Sequence, residues 1–227
     1  EGICGATVTY ANPLGFDNCP GYSIDLVNGL ASGSVFPLGL TTVTFEITDP
    51  SNNTMMCSFD VTVVDNEDPE ITTCPADRDI ATSSNGTGDC SGLVPDLTGE
   101  VVATDNCTDA ANLTITQEPA AGSDFGAANG STQNVVITVE DEAGNTTTCI
   151  TTLTLVDDEM PTIDCSQIDV TRDNDPGECS FTMPGGGFDP SFGDNCPGAT
   201  IAHDYVFAPN TNTLAGASFP VGSTDVT

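Results

Sequence analysis

Two stretches concentrate the groups that could do chemistry. One runs Asp65-Asn66-Glu67-Asp68-Pro69, the other Asp157-Asp158-Glu159-Met160-Pro161. Carboxylates packed this closely repel one another unless a cation sits among them. Hard oxygen donors in flexible geometry suit Ca2+, whereas Mg2+ demands a stricter octahedron and keeps more water. Other chemistry is poorly supported. His203 is the single histidine and stands beside Asp204, a surface setting rather than that of a general base. No Gly-x-Ser-x-Gly elbow accompanies the many serines and threonines. Carboxylate pairs of glycosidase type arise by chance in so acidic a chain. With three tyrosines and no tryptophan, no aromatic cleft is suggested for a sugar. Gly185-Gly186-Gly187 has no P-loop lysine near it. The chain reads as non-enzymatic.

Composition narrows the partners. The 227 residues hold 34 Asp and Glu against two basic residues, a net charge of −32. The two are Arg78 and Arg172, so lysine is absent, which excludes Lys–Asn isopeptide cross-links. Such a charge argues against nucleic acid and anionic membrane as partners. No stretch resembles a signal peptide or membrane span, so direct membrane insertion is not expected. Ten cysteines without a Cys-x-x-Cys pair point to disulfides rather than zinc. Disulfides imply an oxidising, extracellular or cell-surface location. Asn-x-Ser/Thr sites at Asn52, Asn85, Asn106, Asn112, Asn129 and Asn145 matter only in a host that glycosylates them.

A repeat positions these groups. Cys4, Cys90 and Cys179 correspond, as do Asp-Asn-Cys triplets at 17–19, 105–107 and 194–196. Cys57 matches Cys149, Cys74 matches Cys165, and Phe36-Pro37-Leu38-Gly39 recurs as Phe219-Pro220-Val221-Gly222. The unit is about ninety residues long. Residues 1-66 make an incomplete repeat lacking its first strand, 67-157 a complete one, and 158-227 one lacking its last strands. The opening Glu1-Gly2-Ile3-Cys4 and closing Asp225-Val226-Thr227 read as edges of a window on a longer chain.

Within a repeat the hydrophobic period is two. Val43, Phe45 and Ile47 alternate with polar residues, as do Phe59, Val61 and Val63. Val135, Ile137 and Val139 do the same, followed by Thr151, Leu153 and Leu155. These are half-buried antiparallel strands. Asp141-Glu142-Ala143-Gly144-Asn145 is a hairpin turn, with Gly144 or Asn145 supplying positive φ. Asp49-Pro50-Ser51-Asn52-Asn53 fills that slot in the first repeat. Short strands, frequent turns and no amphipathic helix indicate an all-β chain of tandem immunoglobulin-like β-sandwich domains in an extended rod.

In that topology the acidic joint, the Asp-Asn-Cys loop and the last hairpin share one pole of a domain. The candidate ligands are then Asp65, Glu67, Asp68, Asp105, Asn106 and Asp141 at one joint. At the other they are Asp157, Asp158, Glu159 and Asp194, with Asn195. Bound Ca2+ would stiffen the rod; the alternative is a solvated, flexible acidic linker.

The same topology bears on the cysteines. From Cys57 to Val64 the chain spans about 23 Å at roughly 3.3 Å per residue, too far for a Cys57–Cys74 bond. Cys74–Cys149 is expected to close the middle domain. Local pairs Cys4–Cys19, Cys90–Cys107 and Cys179–Cys196 are expected beside it. Cys57 and Cys165 are left for partners outside the window.

The run Gly144-Asn145-Thr146-Thr147-Thr148-Cys149, then Leu155-Val156-Asp157-Asp158-Glu159-Met160-Pro161 and Cys165, resembles a hyalin (HYR) repeat. So do Phe36-Pro37-Leu38-Gly39 and Thr104-Asp105-Asn106-Cys107. The resemblance implies an immunoglobulin-like fold in extracellular, often adhesive proteins. Tandem acidic copies are similar to those of giant Bacteroidota surface proteins, including SprB-type adhesins of gliding motility. The expected function is a secreted adhesin stalk or filament whose partners are neighbouring repeats of the same chain. The rival is a module binding surface glycans or proteins, for which Phe188, Phe192, Tyr205 and Phe207 are the candidate aromatics. A further rival is an accessory domain of a secreted enzyme.

Overall fold

The computed structural model describes residues 2–165, 171–186, 189–205, 208–209, 212–220 and 226. Among these, regular structure is all strand apart from two short 3-10 turns, Thr82–Asn85 and Thr98–Glu100. Contacts gather the chain into two compact units. One comprises 1–76, 96–119 and 135–151, the other 77–95, 120–134 and 152–227. The units interleave segments rather than following the repeat boundaries read from the sequence, and each contains one acidic stretch.

The first unit opens with a two-layer sandwich. Gly5–Val8 pairs antiparallel with Ser34–Pro37. The second layer is a three-stranded antiparallel sheet with Gly39–Thr48 between Ser23–Asn28 and Thr54–Val63. Alternation supplies the inner faces: Phe36, Val43, Phe45 and Val63 are buried together, with Ala6, Val8, Ile24 and Val61 packed on them. Tyr10 meets Phe36, Phe45 and Phe59 edge-on, a favourable arrangement of ring quadrupoles. Its hydroxyl donates to the Leu30 carbonyl. Phe59 itself is 38 % exposed, so the inward face of its strand begins only at Val61.

Further along this unit, Glu70–Thr73 pairs with Val102–Thr104. Thr114–Glu118 pairs with Thr132–Glu140 in the register Thr114 to Glu140 and Glu118 to Val136. Val135, Ile137 and Val139 are fully buried, as their spacing requires. Thr132–Glu140 and Thr146–Val156 run on from this unit into the other.

In the second unit Arg78–Ala81 pairs parallel with Leu153–Val156, Arg78 opposite Leu153. Gly92–Leu93 pairs with Asp124–Phe125, Thr162–Asp164 with Ser191–Gly193, and Ser180–Thr182 with Ser218–Pro220. Leu153, Leu155, Val94, Phe125 and Thr82 are buried here, as are Met183 and Ala217.

Two disulfides are formed. Cys74 is bonded to Cys149, Cα atoms 6.2 Å apart. Both lie four residues before the partners Arg78 and Leu153, so the parallel register accounts for the bond. The second bond, Cys90–Cys196, corrects two expected local pairs, Cys90–Cys107 and Cys179–Cys196. Cys90 leads into Gly92–Leu93 in one unit, while Cys107 follows Val102–Thr104 in the other. Strand pairing thus separates them. Cys4 and Cys19, also expected to pair, are both exposed and unbonded. Cys57, Cys107, Cys165 and Cys179 are unbonded too.

Candidate functional site

Among the described residues, each unit holds one cluster of potential metal ligands, built where strands end. In the first, Asp65 follows Thr54–Val63, Asp105 follows Val102–Thr104, and Asp141 follows Thr132–Glu140. One carboxylate oxygen from each lies within 4.8 Å of one from each of the others.

Local hydrogen bonds aim each carboxylate. Asp105 Oδ1 accepts the N–H groups of Cys107 at 2.8 Å and Thr108 at 2.7 Å. Asp65 Oδ1 accepts the Glu67 N–H at 3.2 Å. Asp141 anchors its hairpin: Oδ1 accepts the Asn145 N–H at 2.8 Å and Oδ2 the Asn145 side-chain N–H at 2.7 Å. Gly144 takes the positive φ of 92° there. In the first repeat Asp49 makes the same bonds to Asn53, with Asn52 at φ 66°. The Asp-Pro-Ser-Asn-Asn turn therefore reproduces the framework of the Asp-Glu-Ala-Gly-Asn turn.

The second oxygens of Asp65 and Asp105 are buried without a hydrogen-bond partner. Two negative charges within 4.8 Å repel by about 3–4 kcal/mol at an effective dielectric near 20. Burial is the largest single influence on Asp141 and raises its pKa. The bonds from Asn145, Gly144 and Ala143 together outweigh it, so the group stays below the ordinary carboxylate range. A cation is the simplest partner for such a donor set. Burial also pushes the neighbouring Cys107 thiol up to about 12, helped by the Cys4 thiol and the Asp65 carboxylate.

The second cluster joins Asp157, Asp194 and Cys196 within 4.8 Å. Cys196 is tied to Cys90, so its sulfur is no thiolate ligand. The usable donors of the cluster are the two carboxylates; the amide oxygen of Asn195, next in sequence to Asp194, is buried without a partner. Asp157 Oδ1 accepts the Glu159 N–H at 3.1 Å, and Asp194 Oδ1 accepts the Cys196 N–H at 2.8 Å. Asn195 is oriented by donating its side-chain N–H to Thr82 Oγ1 at 3.1 Å.

Other residues expected at these sites stand elsewhere. Glu67 accepts the Gly2 N–H through both oxygens, at 3.1 and 3.3 Å. Asp68 and Glu159 are exposed and outside both clusters, and Asn106 is exposed. Asp158 instead accepts the Ser83 hydroxyl at 2.6 Å, the Ser83 N–H at 3.0 Å and the Thr82 hydroxyl at 3.2 Å. Ser83, chiefly, and Thr82 hold its pKa below the ordinary value. Neither was legible as a partner, because seventy-five residues separate Ser83 from Asp158. The Cys90–Cys196 bond was missed too, because a sequence separation of 106 hides it.

Of the rival candidates, His203 and Tyr205 have structural partners. His203 Nδ1 accepts the Tyr205 N–H at 3.1 Å and its Nε2 meets the Thr213 carbonyl at 3.1 Å. Tyr205 stacks on Phe219, ring centres 4.6 Å apart. Phe192 is 44 % exposed. Phe188 and Phe207 lie outside the described residues.

Residues 1–63 match the HYR domain. The chain is 30% identical over 230 residues to hyalin of Lytechinus variegatus, covering 100% of this chain and 39% of that protein. It is 28% identical over 235 residues to hyalin of Strongylocentrotus purpuratus, covering 100% of this chain and 18% of that one. The chain therefore spans well under half the length of either relative. Among solved structures, a protocadherin gammaB7 EC3-6 cis-dimer overlaps 92% of this chain and 60% of its own, at 17% identity and a TM-score of 0.35. Human CDH23 EC21-23 overlaps 91% and 81%, at 15% identity and a TM-score of 0.34. Likeness this low carries no weight here, and the fold rests on the strand pairing itself.

Proposed function

We propose that this chain is a non-catalytic segment of a secreted, adhesin-type stalk or filament, built from tandem HYR repeats. Calcium at the acidic joints and disulfides keep that stalk extended. The giant gliding adhesins of Bacteroidota are one setting in which such acidic arrays would serve.

The buried, unpartnered oxygens of Asp65 and Asp105 support this reading most strongly. Together with Asp141 they form a donor set of oxygens alone, drawn from three separate strand ends. Calcium would take these carboxylates and complete its shell with water. At the other joint Asp157, Asp194 and Asn195 would hold it. Binding only to the folded chain stabilises by mass action, about 2.7 kcal/mol per site at a hundredfold excess over the dissociation constant. Partners are then neighbouring repeats and whatever surface ligand the longer protein carries. The HYR match and the disulfides favour an extracellular place of work.

The test is a thermal melt of the 227-residue chain in calcium and in chelator, with small-angle scattering on both samples. The expected result is a higher melting temperature and a longer maximum dimension in calcium. Identical curves would make the joints solvated linkers and shift the assignment to a glycan- or protein-binding module.

A further inference from the structure

We infer that Cys4 and Cys107 form a disulfide, the counterpart one repeat earlier of the Cys90–Cys196 bond.

Register establishes the equivalence of Cys4 and Cys90. Cys4 lies two residues before Ala6, which pairs with Phe36. Cys90 lies two residues before Gly92, which pairs with Phe125. Both phenylalanines are buried, at 0% and 6% exposure. Each cysteine thus leads into a strand set against a core phenylalanine.

The other two cysteines are equivalent in the same way. Cys107 and Cys196 each end an Asp-Asn-Cys triplet that follows a short strand, Val102–Thr104 or Ser191–Gly193. Each donates its N–H to the aspartate two residues earlier at 2.8 Å. Each sits against an acidic cluster. Both cysteines are free in the structure, and Cys4 stands near enough to Cys107 to help raise its pKa. Joining this pair as the other is joined takes the removal of two hydrogens.

The oxidant is an external disulfide. Exposed Cys4, as thiolate, attacks one sulfur of that disulfide and displaces a thiolate. The Cys107 thiolate then attacks the Cys4 sulfur of the mixed disulfide and displaces the second. The external disulfide takes up two electrons, and the two cysteine protons end on the released thiols. The product ties the Asp-Asn-Cys loop of one repeat to the segment leading into Gly5–Val8 of the repeat before it, as Cys90–Cys196 does at Gly92–Leu93. Applied to any following repeat, the rule gives Cys179 the Asp-Asn-Cys cysteine of that repeat as its partner. The bond needs no calcium, so it stands or falls separately from metal binding.

Disulfide mapping tests it on the wild-type chain. The protein is purified under oxidising conditions, alkylated without reduction, and cut with proteases specific for Asp and Glu. Mass spectrometry should find the Cys4 peptide linked to the Cys107 peptide, alongside Cys90–Cys196 and Cys74–Cys149. Cys4→Ser should make Cys107 alkylatable while leaving Cys90–Cys196 linked. A Cys4–Cys19 or Cys90–Cys107 link would overturn the inference. So would alkylation of both Cys4 and Cys107 in the wild-type chain.

Discussion

Cys90 and Cys196 are bonded with their Cα atoms 4.6 Å apart and a sequence separation of 106. Closing a loop of that size removes much entropy from the unfolded chain. Replacing both cysteines by serine should lower stability by about 2–5 kcal/mol, read as a lower urea midpoint. Reducing the wild-type chain should cost more, because Cys74–Cys149 opens as well.

Asp105 gives a prediction whose sign depends on the metal. In Asp105→Asn the amide oxygen still accepts the Cys107 and Thr108 N–H groups, while one of three clustered charges is lost. In chelator the variant should melt at or above the wild type, because repulsion is relieved. In calcium it should melt below, by about 5–10 °C if one site is lost, since each kcal/mol moves a chain of this size by a few degrees. Paired melts in the two buffers read both signs.

Asp89 makes the acid limit local and measurable. The Ser91, Thr87 and Asn85 side chains hold its carboxyl down to about 2, against an ordinary 3.8. Folding therefore favours the ionised form. Its stabilising contribution is complete above 3.8 and is lost as pH falls toward 2. A carbon-13 NMR titration should find this low midpoint, and Ser91→Ala should move it up toward 3.8. A midpoint at the ordinary value in the wild type would contradict the geometry.

Phe36 is fully buried and packs with Val43, Phe45 and Val63. Phe36→Ala should cost about 3–5 kcal/mol through lost burial and a cavity. Tyr10→Phe removes only the hydroxyl that donates to the Leu30 carbonyl, so its cost should be smaller, about 1 kcal/mol. Urea unfolding of the two variants tests this order.

Strands and turns were legible because they are decided by neighbours in sequence. The spacing of Val135, Ile137 and Val139 gives one buried face whatever strand lies beside it. Asp141 and Asn145 close their hairpin through four-residue contacts that need no distant help. The three carboxylates of the first cluster were named from charge and repeat position, and the structure brings them together. Asp158 was named on the same grounds, yet its charge is taken up by Ser83. Acidic character alone does not say which hydroxyls will reach a carboxylate first.

The sequence by itself determined the all-β character, the turns, the acidic stretches and the recurring motifs, since each follows from local periodicity or composition. Only the tertiary structure decided which cysteines meet. Cys90 and Cys107 are seventeen residues apart and look like natural partners. Pairing Gly92–Leu93 with Asp124–Phe125, and Val102–Thr104 with Glu70–Thr73, sends them to different units. A disulfide needs two sulfurs in contact, and strand pairing rather than sequence distance sets which sulfurs those are.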